Sequence, residues 1–219
     1  DFPDLDCYHP WAISVEESVK LAKETEQAAL DYDSKIKNSE GGALSSYQGM
    51  SVLGSSNGFL KTRFSSRHSL SCSVIAQEAD MMQRDYDYSV KRCADDLLNP
   101  SEIGKLAASR AVKKLKARKV KTQNTPVIFQ ADVATGLISS FLSAIAGSSI
   151  YRNASFLEGK LEHKIFPEFI NIYDDPFVLR GLASSPYDSE GAEVCASYLI
   201  EKGILNQFLL GSYSARKLN

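Results

Sequence analysis

Several signatures that would announce a chemistry are missing from this chain. Cys7, Cys72, Cys93 and Cys195 lie scattered along 219 residues with no Cys-x-x-Cys pair. That fits reduced thiols in a cytosolic compartment better than a disulfide framework, and gives no zinc-site spacing. Only three histidines occur, His9, His68 and His163, and none has a second His or a Glu at helical metal-site spacing, so His-Glu-x-x-His is absent. No Gly-x-Ser-x-Gly elbow exists, and Gly54-Ser-Ser-Asn-Gly58 lacks the Lys-Ser/Thr of a phosphate-binding loop. Charge is not one-sided: 25 basic against 27 acidic residues give a net charge of −2, which favours neither direct nucleic-acid contact nor an anionic membrane surface. No signal peptide and no internal repeat are evident. The chain opens without Met and stops at Asn219 just after a hairpin pattern, so a piece of a longer polypeptide is expected.

What is present is ordinary for a soluble globular protein, with 43% hydrophobic and 24% charged residues. Ser14-Val-Glu-Glu17 is a capping box that starts a helix to about Asp31, with Val15, Val19, Ala22, Ala29 and Leu30 as its apolar stripe and Trp11 anchoring its entry. Residues 36–93 read as a β-meander of short runs punctuated by Gly41-Gly42, Gly49, Gly54 and Asn57-Gly58. Leu70, Cys72, Val74 and Ala76 alternate with serines on one strand, and Tyr86, Tyr88 and Val90 alternate with Asp85, Asp87 and Ser89 on its return partner. Asn99 and Pro100 open a second helix lined by Ile103, Ala107, Ala111 and Leu115. It closes in the basic run Lys113–Lys119, a solvated helix end rather than a nucleic-acid patch, since no aromatics interleave it.

The segment Lys121–Thr125 is the best linker. Beyond it, after the β-like run Pro126–Ala131, comes an uncharged helix capped by Asp132 and stopped by Gly147. Val133, Leu137, Phe141, Leu142 and Ile145 form one face; Thr135, Ser139, Ser140 and Ser143 form the other. Hydroxyls and glycines dilute it below a membrane span, so it is expected to be buried or at an interface, covered on every side. A strand at Glu168–Tyr173, a long loop at Asp174–Gly191 and a hairpin turning at Glu201-Lys-Gly203 complete an α+β content. Two segments are expected, 1–122 and 125–219.

Chemistry is hard to place from residue types alone. His68 has Arg67 and several hydroxyls beside it, but a serine nucleophile needs a placed base and orienter. Asp85 with Asp87, and Asp188 with Glu190, are acidic pairs that could hold a metal; solvated strand edges and turn-formers are the simpler reading.

Longer strings decide more. Asn38–Gly42, Ser65–Ala76, Met82–Ser89, Arg180–Gly191 and Gly211–Leu218 closely resemble the PmbA branch (also called TldE) of the TldD/PmbA family, over about Asp4 to Leu218. The resemblance implies a cytoplasmic bacterial protein of a zinc metallopeptidase group long labelled "modulator of DNA gyrase". It implies an N-terminal α/β domain of helices packed on antiparallel strands, whose end would be residues 1–122. A β-rich C-terminal domain with one buried helix would begin at 125–219, and members dimerise around a closed cavity. The TldD branch carries His-Glu-x-x-x-His on the helix after the first strand of the C-terminal domain. Ser140-Phe-Leu-Ser-Ala-Ile145 stands at that position here, and neither Ser140 nor Ile145 can replace an imidazole.

The reading implied is a non-catalytic subunit of a protease complex acting on unfolded peptides. Zinc is expected in the TldD-type catalytic sibling and none in this chain; the partner is that sibling, or a second copy in a homodimer. Arg180, Gly181, Asp188, Glu190, Gly191 and His68 are the candidate cavity or partner-binding residues, and Ser139, Ser140 and Ser143 the candidate interface face. A regulator of gyrase or of a toxin–antitoxin system without protease activity is the alternative, and a peptidase with zinc ligands outside these residues a third.

Overall fold

The computed structural model describes residues 2–218. They divide into two compact units, one of Asp4–Lys121 with Leu179–Ser184, the other of Thr122–Val178 and Ser185 onward with the N-terminal Phe2 and Pro3. Each unit has its own apolar core, and mixed helices and antiparallel sheets make the class α+β.

The first unit opens with α1 (Val15–Leu30), whose capping box is complete: Ser14 Oγ accepts from the Glu17 N–H at 3.1 Å, and Glu17 accepts from the Ser14 N–H at 3.0 Å. Three antiparallel strands follow, β1 (Ile36–Gly54), β2 (Leu60–Glu78) and β3 (Met81–Lys91), in the order β1-β2-β3. The second helix, α2 (Pro100–Lys114), starts where Asn99 Oδ1 accepts from the Ser101 N–H at 2.9 Å. Both helices pack on one face of the sheet, with Ala29, Ile36, Leu70, Cys72, Val74, Ala76, Ile103, Ala107 and Ala111 in the core.

Three expectations need correcting here. The meander is not a series of short runs: Gly41, Gly42, Gly49 and Gly54 lie inside β1, and the strands are separated by turns at Asn57-Gly58 and Ala79-Asp80. Gly41 sits at a register shift with φ +106°, a bulge rather than a strand end. The α1 stripe is also rotated. Val15 and Val19 face solvent, while Thr25 and Ala29 are buried, because the helix is seated through small residues. A Cβ on Gly104 would lie 2.2 Å from the Thr25 carbonyl oxygen, and one on Gly42 2.1 Å from that of Ala22. Finally, Asp85 and Asp87 are no solvated edge. They point toward α2, their side chains 12% and 10% exposed, and pair with Lys114 at 2.8 Å and Arg110 at 3.4 Å. The tyrosines Tyr86 and Tyr88 take the outer face, stacked at 6.2 Å.

In the second unit, α3 (Ala131–Ile145) begins one residue before Asp132; its N-cap is Gln130, with no side-chain cap. Pro126–Ala131 forms no strand, and Ile128 is 97% exposed. Gly147 does not stop a helix in the left-handed region. It starts the one-turn α4 (Gly147–Ile150) and is pressed against Ser214, whose Oγ would lie 2.4 Å from an added Cβ. The expectation of cover on every side fails within this chain: only Phe141, Ala144 and Ile145 of α3 are buried, and residues 131–133 and 135–140 are exposed. Short strands β4 (Ile172–Asp174), β5 (Ser197–Glu201) and β6 (Ile204–Leu205) form a second sheet, and α5 (Ser212–Leu218) follows. The β5–β6 turn has two residues, not three. Lys202 (φ +48°) and Gly203 (φ +80°) are both left-handed, the requirement of a type I′ hairpin turn. Among the described residues no helix is long and apolar enough to cross a membrane.

The helix seat gives a direct test. Gly104→Ala should destabilise the first unit by about 1–3 kcal/mol, the usual cost of overpacking. Gly136→Ala, with no atom within 4 Å of an added Cβ, should stabilise α3 slightly. Urea unfolding of the two variants checks both signs.

Candidate functional site

His68 is fully buried. Its Nε2 lies 2.9 Å from the His9 carbonyl, which can only accept, so Nε2 donates; its Nδ1 is hydrogen-bonded with the Ser46 hydroxyl at 2.9 Å. Trp11 closes over the ring edge-on at 5.4 Å. A Ser46–His68 hydrogen bond looks like the start of a nucleophilic pair. However, Ser46 sits within the β1–β2 ladder opposite His68, and both ring nitrogens of His68 are taken up by Ser46 and the His9 carbonyl, so no third group orients the ring as a base. The arrangement ties the N-terminal segment to the sheet.

Arg180 is equally committed. Its Nε donates to Asp6 at 2.6 Å, its Nη1 to Asp96 at 3.2 Å, and its backbone N–H to the Leu5 carbonyl at 2.9 Å. The residue is held at φ +58°, a conformation non-glycine residues adopt at a cost. Next to it, Arg92 is nearly buried and donates to the Ser66 carbonyl at 3.0 Å and the Leu182 carbonyl at 2.7 Å, with a longer contact to Gly181 O. Two arginines therefore strap Leu179–Ser184 onto the first unit. Arg92, Asp6 and Asp96 carry no sequence pattern that would single them out; only the fold brings them to one strap.

Asp188, Glu190 and Gly191 make a separate turn. Asp188 Oδ1 accepts from the N–H groups of Glu190 and Ala192, each at 2.8 Å, and Gly191 holds φ +82°. Glu190 Oε2 accepts from the Ser212 hydroxyl and N–H, capping α5 where a carboxylate meets the positive end of the helix. The Ser212 side chain, then its backbone, holds the Glu190 carboxyl below its ordinary range. The candidate residues thus fall into three local structures: a buried imidazole, a strap, and a helix-capping turn.

On α3 the hydroxyls are turned inward. Thr135 Oγ1 donates to the Asp132 carbonyl at 2.6 Å, Ser140 Oγ to that of Gly136 at 2.9 Å, and Ser143 Oγ to that of Ser139 at 2.9 Å. Around them Val133, Leu137 and Ile138 are exposed. The chemistry of the residues at 140–145 does not fit a zinc ion. Ile145 is fully buried, and Phe141 packs edge-on against Phe166 at 5.5 Å, so hydrocarbon stands where one imidazole and the carboxylate would be needed, and the Ser140 hydroxyl stands where the other imidazole would be. Among the described residues no group of three or more His, Cys, Asp or Glu is placed to hold a metal.

Comparison with known proteins identifies the lineage. Residues 8–115 match the family model of the PmbA/TldA metallopeptidase central domain, and residues 122–219 that of the C-terminal domain. The chain belongs to the PmbA/TldA metallopeptidase family. It is 47% identical over its whole length to the metalloprotease PmbA of Escherichia coli O157:H7, of which it covers 48%. The chain therefore spans about half the length of the curated relatives it matches. A crystal structure from Bacteroides thetaiotaomicron, of a protein proposed to modulate DNA gyrase, superposes with a TM-score of 0.93 at 26% identity, over 99% of this chain and 50% of that one. TldE from Thermococcus kodakarensis shares the fold, with a TM-score of 0.79 at 22% identity over 100% of this chain and 51% of the other.

Two outcomes are expected within this family fold. Arg92→Ala should cost about 1–3 kcal/mol by leaving its carbonyl partners without their buried donor, and should raise hydrogen exchange across 179–184. The Arg180 hydrogen bond holds the Asp6 carboxyl below its ordinary value of 3.8. A lowered folded pKa contributes stability above the unfolded value, which is lost as pH falls through the folded one. Exchange in the strap should therefore rise below about pH 4, and Asp6→Asn should remove that pH dependence while weakening the strap at neutral pH.

Proposed function

We propose that this chain is part of a PmbA-like subunit of a TldD/PmbA-type zinc metallopeptidase complex, serving as the non-catalytic partner of a homologous catalytic subunit. The observation that carries the reading is the 140–145 stretch of α3. The family is named for metallopeptidase activity, and the resemblance places the catalytic branch's zinc motif on this helix. Here the same positions hold a hydroxyl spent on its own backbone and two hydrocarbon side chains packed into the core. A zinc ion and its bound water would have to come from the other subunit. This chain would contribute a wall of the cavity that receives unfolded peptide. The exposed length of α3, including the Ser139, Ser140 and Ser143 face, is the surface assigned to the contact with that subunit. The hydroxyls of Thr135, Ser140 and Ser143 already donate to carbonyls of their own helix, so covering them strands no polar group.

The full-length protein should not cleave an unfolded peptide alone, and should do so when mixed with a family member carrying His-Glu-x-x-x-His, with a chelator abolishing the activity. Cleavage by this protein alone would overturn the reading. No cleavage in the mixture, with binding to gyrase instead, would favour the regulatory alternative, which the name of the Bacteroides relative raises. Ser139→Trp should weaken assembly with the catalytic subunit at least tenfold, measured by sedimentation.

A further inference from the structure

The sheet of the first unit has two faces of opposite character. One buries Leu70, Cys72 and Val74 beneath the helices. The other is open among the described residues, and three tyrosines stand on it: Tyr47 is 60% exposed, Tyr86 51% and Tyr88 55%. Register fixes what lies between them. Tyr86 and Tyr88 of β3 stand beside Ser73 and Ser71 of β2, which in turn face Gly41 and Ala43 of β1. One step further Ser69 pairs with Ser45, and beyond it Arg67 pairs with Tyr47. The result is a shallow trough. Its floor is small and hydroxyl-bearing, its wall is the Tyr86–Tyr88 stack, and its end is Arg67 with Tyr47. The Tyr47 ring leans back along β1 over Gly49, where an added Cβ would lie 2.3 Å from the phenol oxygen. From Ser73 to Arg67 the trough runs about 20 Å, the span of a short extended peptide.

Two properties of this face say what it suits. The first is its hydroxyls. Those of Ser45, Ser65, Ser69 and Ser71 have no hydrogen-bond partner among the described residues, unlike the hydroxyls of α3 that donate to their own helix. Each keeps a donor and an acceptor for a polar ligand. The second is its charge. The chain carries a net −2, yet this face is basic. Its carboxylate, Glu40, is taken up by Arg84 at 2.6 Å and by the Ser73 hydroxyl at 2.8 Å. Arg67 is exposed and has no carboxylate partner among the described residues. Arg63 and Lys61 follow it on the same side of β2.

We propose that this face binds an extended acidic polypeptide segment, with Arg67 as the anchor for a carboxylate. A guanidinium can grip a carboxylate through two parallel hydrogen bonds. The serines meet backbone N–H and C=O groups of the segment, and the tyrosines offer broad contact at little cost in side-chain freedom. A nucleic-acid strand fits less well. It carries a phosphate at every residue and calls for a longer run of cations, and its bases stack on open rings, whereas Tyr86 and Tyr88 already cover one another. The proposal gives a chemistry to the unfolded peptide of the reading above and rests on that reading only in taking peptide as the ligand. Binding is measured with no catalytic subunit present, so failure of binding and failure of cleavage are separate results.

The test is fluorescence anisotropy of the full-length protein with a short fluorescein-labelled Gly/Ser peptide rich in glutamate. The controls are the same peptide with glutamine or with lysine in place of glutamate. The glutamate peptide should bind about tenfold more tightly than the glutamine peptide, and its affinity should fall as salt is raised. Arg67→Gln should remove most of that difference. Arg67→Glu should reverse the preference toward the lysine peptide, a gain that only folded protein can show. Lys105→Glu, an equal change of charge on the exposed side of α2, should bind as the wild type does. Equal binding of the glutamate and glutamine peptides would overturn the proposal, as would an Arg67→Glu variant with unchanged preference or an equal loss in Lys105→Glu. Tighter binding of a single-stranded oligothymidylate, or no binding of any peptide, would overturn it as well.

Discussion

The first unit is governed by how closely α1 can approach its neighbours. With hydrogen in place of a methyl group at Gly42 and Gly104, the backbone of α1 sits directly on β1 and on α2. That seat fixes which side of α1 is buried, and it explains why a threonine and an alanine, not the valines, form the packed stripe. Thr25 tolerates burial because its hydroxyl donates to the Leu21 carbonyl at 2.8 Å. A tight, short helical layer then covers the inner part of the sheet and cannot reach the outer part. The exposed apolar end of the β1–β2 hairpin, with Met50 and Leu60, is a consequence of the same geometry, because helix and strand advance at different rates per residue.

Polar groups follow a related economy. Every buried side-chain nitrogen or oxygen among the described residues has a hydrogen-bond partner, and the residues that look most chemical in the sequence are consumed in meeting that demand. His68 joins the N-terminal segment to β1; Arg180 and Arg92 hold a strap; Glu190 and Asp188 shape a turn and cap a helix. An imidazole sealed between a carbonyl and a hydroxyl has no free lone pair or proton for a substrate. Such residues resist replacement on structural grounds alone, so their residue types could not distinguish packing from catalysis.

Local rules were readable wherever the deciding partner lies within a few residues. The capping box at Ser14, the cap at Asn99, the turn at Asn57-Gly58 and the alternation from Leu70 to Ala76 needed no knowledge of the remainder. Direction across long range was not readable. Asp85 and Asp87 alternate with tyrosines, and hydrophobicity points the tyrosines inward. The structure points them outward because Lys114 and Arg110 on α2 supply the opposite charges. Likewise a glycine inside a strand and a glycine between strands look alike until the helix that presses on Gly42 is known. The family resemblance rested on longer strings than any of these rules use, which is why lineage was legible where the site was not.

The same distinction bears on α3. A helix exposed over most of its length would ordinarily carry charges outward, yet after Asp132 there is none until Arg152, and the hydroxyls of Thr135, Ser140 and Ser143 donate back to carbonyls three or four residues earlier. In water those hydroxyls would gain as much from solvent, so their inward bonding gives no advantage to an exposed helix. Beneath an apolar cover it removes the penalty for burying them. The helix is therefore composed for two environments at once. Its last turns, through Phe141 and Ile145, root it in its own unit; its first ten residues are mostly exposed, and their composition suits the contact proposed for them. In the proposed reading, the absence of a metal-binding pattern from such a helix leaves its capacity for contact intact, because cover depends on shape and apolarity, whereas catalysis depends on a few ligands.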